Sequence, residues 1–348
     1  MTDVDDKSGM HQANLDDKDA SIRKIFTKPY GWIAGVEVLL FIVFGALSPN
    51  HAFWSQGNFI NISLSASEIL LLCVTQAILL SAGLLDLSQG AIVIFSSVVS
   101  GKTMIAILGS DGAGSVPIAI TIGVLVAIAV GGLIGVISGY FVAVVGINPL
   151  IATLGMLSIA TGAAEVVTNG TNLVGIPLQL QERFGIAVVF GVPTPLLLAS
   201  LIIAIIWIMF ARSRFGIHTL AIGSSAKAAL RSGINVQRHS IGLYALSGTA
   251  AGIAGIIDLS RFTTTDISGH VNDSLAAIAG AVIGGTSLFG GGISFPGAII
   301  GSLLAVILQV GLVVLNLQPF YQEIAIGIVL IGAVTIDRIR ARKDPERT

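Results

Sequence analysis

A chain of 348 residues could hold two soluble domains, but 54% of these residues are hydrophobic, only 11% are charged and mean hydropathy is +0.91. Soluble domains carry about a quarter charged residues, so the composition excludes one and points to an all-α, polytopic protein of the lipid bilayer with spans of about 20 residues. A net charge of −1 gives no attraction to nucleic acid, and a single cysteine, Cys73, excludes disulfides and thiolate metal sites.

The first 28 residues are polar and mixed in charge, with six aspartates between Asp3 and Asp19 and no apolar core before a cleavage site. Stretch 1–28 therefore reads as a disordered tail and not as a signal peptide. From 29 to 337, apolar runs between turn signals predict ten spans: 30–48, 59–82, 86–108, 116–141, 148–168, 193–211, 240–259, 274–293, 295–316 and 320–337. The third holds Asp86, Ser88, Gln89 and Lys102, and the eighth runs into Gly284-Gly285 and Gly290-Gly291-Gly292. Either is open to being a broken or re-entrant helix, which membranes tolerate only where protein or water covers the freed backbone. Omitting both leaves eight spans with the same parity; ten is the preferred count.

Two connections are longer than turns. The segment 169–192 is expected outside, with room for a short interfacial helix, and 212–239 is expected inside. Within the latter, Ser224 to Arg231 reads as a short helix with Ser225 as N-cap and Gly233 as its stop. So short a helix is unstable alone in water and needs a partner surface.

Basic residues set the orientation. Fifteen of the eighteen fall in the tail 1–28, in 212–239 and in the basic tail 338–348. Ten crossings place all three clusters, and both termini, on the cytoplasmic side.

Chemistry is sparse along this chain. Gly101-Lys102-Thr103 imitates the end of a phosphate-binding loop, but Ser96 stands where the first glycine is required, so no ATPase site is expected. Glu37, Glu68, Asp86, Glu165, Asp258 and Glu323 interrupt apolar runs. Glu37 and Glu68 lie deepest, and Lys102 is the one intramembrane cation available to pair with them. The five histidines lack ligand spacing, so no metal site is expected, and no nucleophile–base pair suggests an enzyme.

Four blocks carry a resemblance to the permease subunits of bacterial ABC importers for monosaccharides of the ribose, xylose and galactose type. The strongest is Ile283-Gly284-Gly285-Thr286-Ser287-Leu288-Phe289-Gly290-Gly291, followed by Gly297 and Gly301. The others are Asp86-Leu87-Ser88 with Gly90, where Leu84 and Gln89 depart from the family pattern, and 151–156 with Thr153, ending at Thr168-Asn169-Gly170. The last is Ala228-Ala229 with Ser232-Gly233-Ile234-Asn235-Val236; Ser225 and Ala276 replace common family residues.

The resemblance implies a permease subunit of the inner membrane that works as a homodimer. A periplasmic sugar-binding protein delivers the sugar, and a separate ATPase subunit uses ATP and Mg, so this chain binds no cofactor itself. Ser225, Ala228, Ala229, Arg231, Ser232 and Gly233 would couple to that ATPase. Asp86, Ser88, Gly90, Thr153, Asn169, Gly284, Gly285, Thr286, Gly290 and Gly291 would belong to family motifs along the pathway. The rival readings are an ion-coupled secondary transporter using Glu37 and Glu68, and a permease for branched-chain amino acids.

Overall fold

A computed structural model of the chain describes residues 29–109 and 114–318, with scattered positions from 321 to 335. The tail 1–28, the basic tail 338–348 and most of the tenth predicted span, with Glu323, lie outside the described residues. The described chain is almost entirely helical: α1 (Pro29–Leu47), α2 (Gln56–Ser81), α3 (Gln89–Leu108), α4 (Val116–Tyr140), α5 (Pro149–Thr168), α6 (Thr194–Arg212), α7 (Arg214–Ser224), α8 (Ala226–Arg231), α9 (Val236–Phe262), α10 (Asp273–Ile283) and α11 (Phe295–Val314). Seven of the described helices (α2, α3, α4 with its π-helical extension Phe141–Val145, α5, α6, α9 and α11) are long and apolar enough to cross a membrane.

Helix starts follow local chemistry. Asn148 Oδ1 accepts the Leu150 N–H at 2.9 Å, Asn235 Oδ1 accepts the Arg238 N–H at 3.0 Å, and Ser294 Oγ accepts the Gly297 N–H at 3.1 Å. Pro149 and Pro296 sit in the first turns of α5 and α11, where no intrahelical N–H is needed. The stretch 169–192 holds helical turns over 178–185 and a small hairpin of β1 (Val188–Val189) with β2 (Val192–Pro193), so its expected interfacial helix is only partly realised.

α2 is buried along most of its length and forms the centre, whereas α4, α5 and α6 present most of their apolar surface outward. α4 and α9 form the most extensive helix pair. A side chain at Gly131 would lie 2.3 Å from Gly248 O, and one at Gly248 would lie 2.1 Å from Gly131 O, so only bare backbone allows this approach.

The weak spans resolve differently. α3 is a full-length apolar helix, and its irregular part is the non-helical stretch 83–88 that precedes it. The eighth span, predicted over 274–293, is corrected to α10 with 11 residues followed by a loop to Ser294. Such a helix rises about 16 Å, roughly half of a hydrocarbon core. The glycines at 284, 285, 290 and 291 end it: Gly285, Gly290 and Gly291 adopt φ of 93°, 90° and 80°, a conformation that side chains resist.

Candidate functional site

The N-termini of α3 and α10 meet: Gly90 N–H donates to Ser274 Oγ at 2.9 Å. Their level is set by Gln89, whose Nε2 donates to Thr75 Oγ1 (3.1 Å) and Leu72 O (3.3 Å) on α2. Leu72 is nine residues before the end of α2 at Ser81, or about 14 Å along the axis, roughly half the thickness of a hydrocarbon core. Two irregular segments, 83–88 and 263–272, thus lead to helix starts that face one another in the protein interior.

A buried polar seam lines this junction. Asp86 is fully buried, and its Oδ1 accepts from Ser88 N–H (2.9 Å) and Ser88 Oγ (2.5 Å). Its Oδ2 accepts from Ser247 Oγ on α9 at 2.8 Å, and Ser247 Oγ in turn accepts from Gln89 Nε2 at 2.9 Å. Tyr244 donates its hydroxyl to Leu85 O at 2.8 Å. Three donors satisfy this buried carboxyl group, and the bonds tie the 83–88 segment to α9. Asp86, Ser88 and Gly90, neighbours in sequence, all hydrogen-bond at this junction. Gln89, a departure from the family pattern, bonds to both α2 and α9.

A second buried cluster lies beside it. Arg261 Nη1 donates to Glu68 Oε1 at 2.7 Å, with both side chains 8% exposed. His270 Nε2 lies 3.2 Å from Asp258 Oδ1, and His270 Nδ1 lies 2.7 Å from Asp273 Oδ2. Glu68 therefore has an intramembrane cation, which corrects the assignment of that role to Lys102; Lys102 is exposed on α3. The signal was present as Asp258 and Arg261, one helical turn apart in an apolar run. Their partners come from distant segments, and spacing cannot reveal that. Glu37 is half-buried on α1, which packs against α11.

The glycine block builds a third feature. A side chain at Gly284 would meet Gly297 O at 2.1 Å, and one at Gly297 would meet Gly284 O at 1.7 Å, so α10 and α11 touch backbone to backbone. Gly280 and Gly301 repeat this approach one turn away. Thr286 is buried, and its Oγ1 accepts Ser294 N–H at 3.3 Å across the base of the loop. The loop tip lies against α7: Gly291 N–H donates to Ser81 O at 2.9 Å, and a side chain at Gly223 would fall 2.6 Å from Gly291 N and 1.9 Å from Ser81 O.

The segment 212–239 holds two helices where one was expected. Ser225 breaks them, ending α7 and capping α8 by accepting Ala228 N–H at 3.3 Å. Gly233, at φ 85°, ends the turn after α8. Ala228 and Ala229 part company. Ala228 is exposed, but Ala229 is 4% exposed and packs into this chain's own core, so it does not present a surface for the coupling expected of it. Leu230, 65% exposed, and Arg231 take the outward positions, with Ser232 and Gly233 exposed beyond them.

Thr153 and Asn169 stand apart from the seam. Thr153 is buried on α5 and donates to Pro149 O at 2.8 Å, while Asn169 ends α5 in a left-handed conformation, φ 55°. Gly101-Lys102-Thr103 lies inside α3, a geometry in which no loop can cradle phosphate.

A family model described as "Branched-chain amino acid transport system / permease component" matches residues 58–334. The chain is 31% identical over 315 residues to the D-allose transport system permease protein AlsC of Escherichia coli (strain K12), covering 90% of this chain and 93% of that one. It is 32% identical over 323 residues to the ribose import permease protein RbsC of the same organism, covering 90% and 96%. With the L-arabinose ABC transporter permease protein AraH of Azospirillum brasilense it shares 30% identity over 311 residues, 88% of each chain. No solved structure matches the chain significantly. With the match running from α2 past α11, across the seam and the glycine loop alike, this chain belongs to the branched-chain amino acid transport system / permease component family, as a multi-pass permease subunit of the ABC importer type.

Proposed function

We propose that this permease carries a simple sugar inward as the membrane half of an ATP-driven importer. An ATPase subunit docks on the face bearing α7 and α8, a periplasmic sugar-binding protein on the opposite face, and a second copy of the chain completes the channel. Sugar is favoured over a branched-chain amino acid because the relatives named above are permeases for allose, ribose and arabinose. Ion coupling through Glu68 is disfavoured, since Arg261 already neutralises that carboxylate.

The observation that carries the mechanism is the contact of Gly223 with Gly291 and Ser81. Closure of the ATPase pair pushes on the exposed side of α8, at Ala228, Leu230 and Arg231. Ser225 and Gly233 fix the ends of that short helix, so the push is passed to α7 as a unit. Backbone contact at Gly223 hands it to the glycine loop and to the end of α2. α10 and α11, locked through Gly284 and Gly297, then move together, and their motion changes the junction where α10 meets α3 at Gly90. Asp86, Ser88 and the cytoplasmic end of the pathway would reopen in each cycle. Tight sugar binding is not required of the permease, because selectivity can reside in the binding protein.

Substitutions on α8 test this. Leu230→Asp should leave the permease folded but strip the ATPase from it on purification and abolish uptake. Ala229→Asp should instead destabilise the permease itself, because that site is internal. Arg231→Ala, at an exposed rim, should cost about 1 kcal/mol or less of the docking energy. Co-purification of a stimulated ATPase with Leu230→Asp would rule out α8 as the docking element.

A further inference from the structure

We propose that Glu68, Asp258 and His270 form a binding site for one divalent transition-metal ion of the Zn²⁺ kind, which clamps the 263–272 segment to α2 and α9. The three residues come from α2, α9 and the segment between α9 and α10, and one ligand atom of each lies within 4.8 Å of the others. In a tetrahedral zinc site, bonds of about 2.0–2.1 Å place ligand atoms roughly 3.3 Å apart. His270 Nε2 and Asp258 Oδ1 are already 3.2 Å apart. Glu68, which offers a ligand atom within 4.8 Å of both and is held by Arg261 at 2.7 Å, has to close in.

Three further observations point to a cation. Asp258 is 2% exposed, and its Oδ2 has no hydrogen-bond partner among the described residues. A buried carboxylate oxygen in an apolar interior without a donor is costly and asks for an occupant. Asp273 Oδ2 lies 2.7 Å from His270 Nδ1, the carboxylate–histidine arrangement that orients Nε2 toward a metal. Charge agrees as well: Glu68, Asp258 and Asp273 bring three negative charges against the single positive charge of Arg261, a deficit of two when the imidazole is neutral. A divalent ion closes that deficit, whereas a proton on His270 leaves one negative charge unbalanced. The carbonyl of His270 packs against Gly90, so a clamp at this residue would hold the segment where it meets α3.

The experiment uses tag-free, full-length permease, purified in detergent, stripped with a chelator and titrated with Zn²⁺ by calorimetry and by thermal unfolding. The expected result is one Zn²⁺ per chain, with an unfolding midpoint that rises and saturates. Co²⁺ in its place should give the visible absorption of a tetrahedral nitrogen/oxygen site. Asp258→Asn and His270→Gln should each weaken binding by about 100-fold or more, and Asp273→Asn, behind the imidazole, by about 10- to 100-fold. Should a variant not fold, the stoichiometry and the Co²⁺ spectrum of the unaltered protein still decide. Absence of a stoichiometric site in that protein, or equal binding by folded Asp258→Asn and His270→Gln, overturns the proposal and leaves a protonated His270 as the occupant.

Discussion

Arg261 and Glu68 show what one buried pair can decide. Each is nearly excluded from solvent, and the 2.7 Å contact compensates part of their desolvation. Arg261→Met should therefore destabilise the permease by about 3–5 kcal/mol, because it strands the Glu68 charge. Adding Glu68→Gln should recover much of the loss; thermal unfolding of the two variants in detergent measures both steps, and equal midpoints would show that the pair contributes nothing. Glycines separate in the same way. Gly297→Ala places a methyl group 1.7 Å from Gly284 O, whereas a methyl at Gly292 meets nothing within 4 Å. Gly297→Ala should cost about 1–3 kcal/mol and lower folded yield, while Gly292→Ala should be silent in the same assay. From the sequence the block of glycines was legible as a place where the helix could break. Which glycine faces which backbone was not, since Gly284 and Gly297 belong to different elements joined only by the fold.

At the scale of elements, apolar run length told most of the story and failed where function intrudes. Eight of the ten expected spans correspond to helices α1 to α6, α9 and α11 within a few residues, because hydropathy alone determines what a bilayer accepts. α10 escaped, since Ala276 to Ile283 continues apolar into Gly284 and nothing in hydropathy distinguishes a half-crossing from a whole one. α7 was hidden too: its residues, RFGIHTLAIGS, are mixed in polarity, and the segment reads as a loop until Gly223 is seen against Ser81. Ser225 as a cap and Gly233 as a stop were legible because capping chemistry is local. The contact between α7 and the glycine loop carries a prediction of its own. Gly223→Val pushes α7 off Ser81 and Gly291, so ATP hydrolysis in the assembled importer should persist while uptake falls at least tenfold. Uptake at the normal rate in a stably folded Gly223→Val protein would show that force does not pass through this contact.

Across the whole molecule, the proposed function requires that α7 and α8 face the cytoplasm and that the 263–272 segment lie on the far side. Reporter fusions after Ser225 and at the C-terminus should read as cytoplasmic, and fusions near Asn172 and Asp266 as external. A cytoplasmic signal at Asn172 would shift every later crossing. Basic residues that collect between α6 and α9 and at the two ends are the ground for this expected orientation, and the fusions test it. The polar junction was not legible in the sequence, since its members (Thr75, Asp86, Gln89, Ser247) come from separate stretches of the chain and become a unit only when α2, α3 and α9 pack. Energy source separates an ATP-driven importer from an ion-coupled carrier. In proteoliposomes holding the permease with its ATPase inside and the sugar-binding protein outside, uptake of labelled ribose, allose and arabinose should be measured with internal ATP or with an imposed proton or sodium gradient. Accumulation of at least one of these sugars that requires ATP and is lost in Leu230→Asp is the expected result; accumulation driven by the ion gradient without ATP would overturn the ATP-driven importer.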